Sequence, residues 1–219
     1  MSLRDSSPSS IHAVLFDFGL VLSASEDPAA WKRMRDFFAA EETAFHPAYW
    51  SRRLDYDRGT LTGAEFWLQV ALEFGVKLDD VQLQQLMAED IALWGRPNQD
   101  MIAWAAALQR AGIKTGVLSN MGDAMETGLR TLCPWMENFS HCTFSHRLLT
   151  VKPDPAIYHH AVEGLGVPAE AILFVDDRAE NVGGAEAVGM QAIQYTDHAS
   201  FVSAMRERGL GWLLDVGKK

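Results

Sequence analysis

Apolar and polar positions follow two different rhythms along this chain of 219 residues. His12 to Asp17 is an apolar run ending on a carboxylate, the pattern of a strand covered on both faces, with Asp17 at its mouth. From Asp27 to Trp94 the apolar residues recur at helical spacing instead. Asp27-Pro28 predicts a cap and first turn for a helix that carries Trp31, Met34 and Phe38 on one face. Thr62 and Glu65 form a capping-box pattern ahead of Phe66, Trp67, Val70, Ala71 and Phe74. Leu83, Leu86 and Met87 mark a further helix. Such stripes are more often packing faces than ligand boxes. The stretch reads as a small helical domain inserted after the first strand.

At Pro97-Asn98 the rhythm changes. A helix over about Gln99 to Arg110 stops at Gly112, and Ile113 to Leu118 is a strand. A helix over Asp123 to Leu132 stops before Pro134, and His141 to Phe144 is a short strand. Asp154-Pro155 opens another helix, which Gly166 ends. Ala171 to Val175, Ala179 to Val188 and Met190 to Tyr195 complete the alternation as strand, helix and strand. Alternation of this length predicts an α/β fold with a doubly wound parallel sheet. The expected division is a tail over 1–10, a core built from 11–22 and 96–219, and a helical cap over 23–95. The serine-rich residues 1–10 are expected to be disordered.

Composition narrows the partners. Hydrophobic residues make up 48% and charged residues 22%, the balance of a folded chain with an ordinary core. No apolar stretch approaches the roughly 20 residues that span a bilayer, and no signal-peptide pattern opens the sequence, so no membrane partner is expected. A formal charge of −10 disfavours nucleic acid. Cys133 and Cys142 have no CxxC spacing and no His cluster beside them. Reduced thiols in a cytoplasmic protein are the expectation, as a monomer or homodimer.

Four segments carry candidate chemistry: Asp17; Ser119-Asn120 after the second strand; Lys152; and Asp176-Asp177 after the fourth. Each has an ordinary reading when taken singly. A strand-end aspartate caps a turn, a serine caps a helix, and a lysine is solvated. Their ordered recurrence at successive strand ends points to one site, because open α/β sheets keep their chemistry at the carboxyl ends of the strands. Three carboxylates make a hard-oxygen site suited to Mg²⁺. Lys152 can neutralise both an aspartate and a phosphate as a point charge. Ser119 can donate to a phosphate oxygen, with the backbone N–H groups of Asn120 and Met121 expected to help.

Together these segments resemble the four motifs of the haloacid dehalogenase superfamily, in order and spacing. The last motif extends as DDRAENVGGAEAVGM, where Asn181, Gly184, Ala185 and Gly189 also fit. The resemblance runs from about Val14 to Tyr195 and is nearest to the helical-cap branch, in particular bacterial sugar-phosphate phosphatases of the glucose-1-phosphatase type. It implies that Asp17 attacks phosphorus to form an aspartyl-phosphate. It implies Mg²⁺ held by Asp17, the Gly19 carbonyl, Asp176 and Asp177, with Ser119 and Lys152 orienting the phosphoryl group. Asn120 and Asn181 are supporting candidates. In the cap, Asp57-Arg58-Gly59-Thr60 is similar to the polar turn between cap helices, with Arg58 a candidate for touching a small phosphorylated metabolite.

One position departs from the pattern. Most phosphatases of that superfamily place a second aspartate, a general acid and base, two residues after the nucleophile. Here Gly19 stands there. General acid catalysis is worth about 10²–10⁴-fold. A cap residue or a water could supply the proton, or the substrate could carry a good leaving group, such as the anomeric oxygen of a sugar 1-phosphate. Two rival readings tolerate the glycine: metal-independent 2-haloacid dehalogenation, and a non-catalytic phosphometabolite-binding module.

Overall fold

The computed structural model describes residues 10–217; the expected disordered tail lies, but for Ser10, outside the described residues. Five parallel strands form one sheet: β1 (Ala13–Phe16), β2 (Lys114–Ser119), β3 (His141–Phe144), β4 (Ile172–Asp176) and β5 (Gln191–Gln194), in the order β3-β2-β1-β4-β5. β1 is central and every residue in it is buried, as a strand covered by helices on both faces must be. Its side chains alternate between two cores. Val14 and Phe16 enter one and Ala13 and Leu15 the other.

The first core is closed by α6 (Gln99–Arg110), α7 (Asp123–Leu132) and α11 (His198–Glu207), through Trp104, Leu108, Met125, Leu129 and Phe201. The second is closed by α9 (Pro155–Leu165) and α10 (Ala179–Ala187), through Ile157, Tyr158, Leu165 and Ala185. Local chemistry sets the ends of α9. The Asp154 carboxylate accepts from Ala156 N, Pro155 takes the first turn, and Gly166 ends the helix in the left-handed region at φ 62°.

Between β1 and α6 five helices pack around a third cluster of their own: α1 (Pro28–Phe37), α2 (Glu42–Ser51), α3 (Arg53–Arg58), α4 (Gly63–Glu73) and α5 (Asp80–Trp94). Trp67, Tyr49, Phe45 and Phe66 are fully buried in it. Capping boxes start two of these helices, Thr62 with Glu65 for α4 and Asp79 with Gln82 for α5. The chain leaves and re-enters the core side by side. Ser23 and Pro97 form an isolated antiparallel bridge, and Asn98 N donates to Leu22 O at 2.9 Å. Among the described residues no helix is long and apolar enough to cross a membrane, and Cys133 and Cys142 are free thiols.

Candidate active site

Strand register assembles the site. β1 pairs with both neighbours so that Phe16 stands level with Val117 and Val175. One residue further along, Asp17, Leu118 and Asp176 share a level, and Ser119 and Asp177 lie just beyond. Every candidate from the ends of β1, β2 and β4 therefore reaches one edge of the sheet. All five motif residues, Asp17, Ser119, Lys152, Asp176 and Asp177, are brought together there.

Lys152 is the centre of the cluster. Its Nζ lies 2.9 Å from Asp17 Oδ1 and 2.6 Å from Asp176 Oδ2, and it donates to Leu118 O at 3.0 Å. Its side chain is 1% exposed, so these contacts replace its hydration. Asn120 fixes the Lys152 backbone from both sides, accepting from Lys152 N at 2.8 Å and donating to Lys152 O at 3.2 Å. Asp176 Oδ1 accepts from Arg178 N at 2.8 Å and from Asn181 Nδ2 at 2.9 Å. Asn120 and Asn181 thus hold the charged groups in place. On Asp17 both donors, Phe18 N at 2.6 Å and Lys152, fall on Oδ1, which leaves Oδ2 toward the cavity chemistry.

The electrostatics are unbalanced. Burial pushes the Asp17 carboxyl up to about 7; Lys152 pulls it down, while Asp176 and Asp177 push it further up. Asp177 is raised as well, by burial and then by Asp176. Burial disfavours the Lys152 charge, yet Asp17 and Asp176 hold its pKa above the ordinary lysine value. One lysine does not neutralise three carboxylates. Asp17, Asp176 and Asp177 each offer an oxygen, and these lie within 4.8 Å of one another. A hard, oxygen-only donor set with surplus negative charge fits a divalent cation such as Mg²⁺. The Gly19 backbone lines the same cavity.

That cavity, about 480 Å³, lies between sheet edge and cap. Its floor is Asp17, Ser119, Asn120, Lys152, Asp177 and Asn181, with Arg178 beside them. The cap contributes Glu26, Trp50, Arg53, Leu54, Asp57 and Trp94. Two expectations change here. Arg58 is not among the lining residues; it closes α3, and Arg53 at the start of that helix lines the cavity instead. Five residues along a helix turn a side chain by about 140°, so the two arginines leave on different faces. The Met121 N–H is also already engaged, donating to Ser145 Oγ at 2.8 Å rather than standing open for a phosphate.

Sequence reasoning reached the cap side only through the Asp57-Arg58-Gly59-Thr60 turn, of which Asp57 lines the cavity, and it missed Arg53. Arg53 is buried and ion-paired, with Nε 2.9 Å from Asp57 Oδ1 and Nη1 3.1 Å from Asp90 Oδ1, and it also donates to the Tyr49 hydroxyl. The Arg53–Asp57 spacing of four residues was the only signal in the sequence, and it is shared by many exposed helix pairs. Gly19 also has a visible consequence. A Cβ there would meet the Trp94 ring at 3.7 Å, so the tryptophan occupies the side of the cavity that a longer residue would enter.

Comparison with known proteins gives one family. The model for haloacid dehalogenase-like hydrolases matches residues 11–189. An (S)-2-haloacid dehalogenase of a Pseudomonas species is 30% identical over 197 residues, 84% of each chain. A phosphatase of Mycobacterium tuberculosis is 29% identical over 191 residues, 84% of this chain and 86% of that one. Among solved structures, a haloacid dehalogenase-family enzyme of Bacteroides thetaiotaomicron, in complex with magnesium and inorganic phosphate, superposes with a TM-score of 0.70. It is 20% identical and covers 88% of this chain and 99% of its own. With the family model matched over most of its length, the chain belongs to the haloacid dehalogenase-like hydrolase family.

Proposed function

We propose that the protein is a Mg²⁺-dependent phosphatase of small phosphorylated metabolites, acting through an aspartyl-phosphate on Asp17. The observation that carries this reading is the carboxylate cluster: Asp17, Asp176 and Asp177 around one buried lysine. A cation bound by the three aspartates would offset their charge and that of the incoming phosphate. Asp17 Oδ2 is the nucleophile. Lys152 neutralises Asp17 and a phosphoryl oxygen, Ser119 donates to another, and Asn120 keeps Lys152 in position. Trp50, Leu54 and Trp94 give the cavity apolar walls beside the bond being broken.

The finer reading is a sugar phosphate, with a sugar 1-phosphate preferred. Trp50 and Trp94 offer faces to a sugar ring, and Glu26 offers acceptors to its hydroxyls. An anomeric oxygen also leaves more readily than a primary alcohol where Gly19 supplies no acid. The test is phosphate release from a panel of sugar phosphates, nucleotides and aryl phosphates, with Mg²⁺ and with EDTA. Release is expected with Mg²⁺ alone, to be abolished in a folded Asp17→Asn, and to be faster for a hexose 1-phosphate than for its 6-phosphate. Activity retained in Asp17→Asn removes the nucleophile assignment.

Dehalogenation stands as the second reading because of the 30% identical Pseudomonas relative. In that chemistry Asp17 would displace halide from carbon, which needs neither a proton donor nor a cation, so the Asp176-Asp177 pair would have no role in it. Halide release from a 2-haloacid in EDTA would decide for that reading.

A further inference from the structure

Gly19 leaves the phosphatase chemistry without a proton donor at its usual place, so a side-chain donor, where the leaving group needs one, comes from elsewhere in the cavity. Its titratable lining residues beyond the nucleophile–metal cluster are Glu26, Arg53, Asp57 and Arg178. The guanidinium groups do not release protons in proteins. That leaves two carboxyls, and only one of them is held in register with the floor.

We infer that Asp57, carried on the cap helix α3, is the general acid and base of this site, in the role that Gly19 cannot fill. The inference rests on the phosphatase reading and deepens it. Asp57 is anchored to the core at its own backbone: its carbonyl accepts from Ser145 Oγ, and the same Oγ accepts from Met121 N at 2.8 Å, two residues beyond Ser119. Tyr56, its neighbour, takes the Met125 N–H on its hydroxyl at 3.1 Å. Gly59 packs so closely on His146 that a Cβ would overlap the His146 backbone. α3 is therefore docked onto the loop that holds the phosphate-binding groups. No hydrogen bond of this kind fixes Glu26.

The Asp57 side chain is also oriented. Arg53 Nε holds Oδ1 at 2.9 Å, so Oδ2 is the oxygen left to exchange a proton. The charges facing it are Arg53 on its own helix, Asp90 on α5 and Lys152 on the core. Burial dominates and, against the pull of Arg53 and Lys152, raises the carboxyl to about 6, close to the working range of a general acid.

The step balances as follows. Asp17 attacks phosphorus, the bond from phosphorus to the ester oxygen breaks, and that oxygen takes the proton of Asp57. The alcohol leaves. The Asp57 carboxylate then takes a proton from the water that attacks the aspartyl-phosphate. The bond from phosphorus to Asp17 breaks, and Asp17 leaves as a carboxylate with Asp57 protonated again.

The test is a leaving-group series from 2,4-dinitrophenyl through phenyl to an alkyl phosphate, with Mg²⁺, on wild type, Asp57→Asn and Asp57→Glu. kcat/KM reports the first transfer. Asp57→Asn should lower it about 10²–10⁴-fold for the alkyl ester and less than about tenfold for the dinitrophenyl ester, which needs no acid. With the dinitrophenyl ester kcat should fall, preceded by a burst of one phenolate per active site as the aspartyl-phosphate accumulates. Asp57→Glu should restore part of the alkyl rate. Asp57→Ser, which keeps an acceptor for Arg53, gives the same readout if Asp57→Asn does not fold. A uniform loss across the series, or an unchanged slope, overturns the assignment. So does a steepened slope in Glu26→Gln with none in Asp57→Asn. Absence of turnover by the wild-type protein overturns the phosphatase reading and this role with it, whereas turnover with an unaltered slope overturns only the role of Asp57.

Discussion

Lys152 shows how much of this site rests on one side chain. It stands among Asp17, Asp176 and the Leu118 carbonyl with 1% of its side chain exposed, so its charge and those of its partners are mutually dependent. Removing one partner of a buried pair costs about 3–5 kcal/mol, because the other charge is stranded. Lys152→Met keeps the length of the side chain and removes the charge. Turnover should fall by about 10²–10³, and the loss of stability should depend on pH. Without the pull of the lysine, Asp17 binds its proton more tightly still in the folded than in the unfolded chain. Its cost is relieved in acid and grows as pH rises through its folded pKa. Denaturant unfolding in EDTA should therefore show a larger deficit near pH 8 than near pH 5, roughly by the whole pair cost. An equal deficit at both would mean that another group already compensates the carboxylates.

At the scale of elements, the decisive contact is α3 against the start of α7. Gly122 caps α7 at φ −77°, where any residue fits, so its backbone does not require glycine. Space does: a Cβ there would overlap the Tyr56 ring. Gly122→Ala should push α3 off the core at a cost of about 1–3 kcal/mol, raising KM and lowering kcat together because the cap side of the cavity moves. Gly183→Ala inside α10, with nothing within 4 Å of its Cβ, should leave turnover unchanged and raise the melting temperature slightly. Matched effects from the two alanines would show that cap docking does not matter. The same contact explains what the sequence could and could not reveal. Parallel strands covered on both faces leave apolar runs bounded by Gly and Pro, so β1 to β5 were legible to within a residue or so; Ser119 ends β2 instead of following it. The core half of the site was legible because its residues sit on those strand ends. The break between α2 and α3 at Arg52 has no side-chain cap, and Pro47 lies inside α2, so no local signal marked either. α11 was not anticipated, although Asp197 caps it. Arg53 and Asp57 enter the cavity only through tertiary docking, which periodicity does not encode.

For the whole molecule, the cavity is a store of unfavourable charge that folding creates and a cation can relieve. The metal-free protein holds Asp17 at about 7 and Asp57 at about 6, from a usual 3.8, with Asp177 raised too. A carboxyl whose folded pKa is raised binds protons better folded than unfolded. Stability from these groups therefore falls as pH rises from about 4 to about 7 and stays low above that. The proposed Mg²⁺ would compete with protons for the same oxygens, so it should bind weakly below neutrality and well above it. Its effect on stability should follow that competition. At a concentration about 100 times its dissociation constant a ligand adds about 2.7 kcal/mol, roughly 5–10 °C in melting temperature for a chain of this size. That shift should approach its full size near pH 8, shrink to about a degree near pH 5 and disappear in Asp176→Asn at either pH. Thermal unfolding with Mg²⁺ and with EDTA across this range measures it without a substrate. A shift that ignores pH would place the cation away from the three aspartates. No shift in the wild-type protein would remove the metal from the mechanism and move the balance toward dehalogenation, whose chemistry uses Asp17 but leaves Asp176 and Asp177 unexplained.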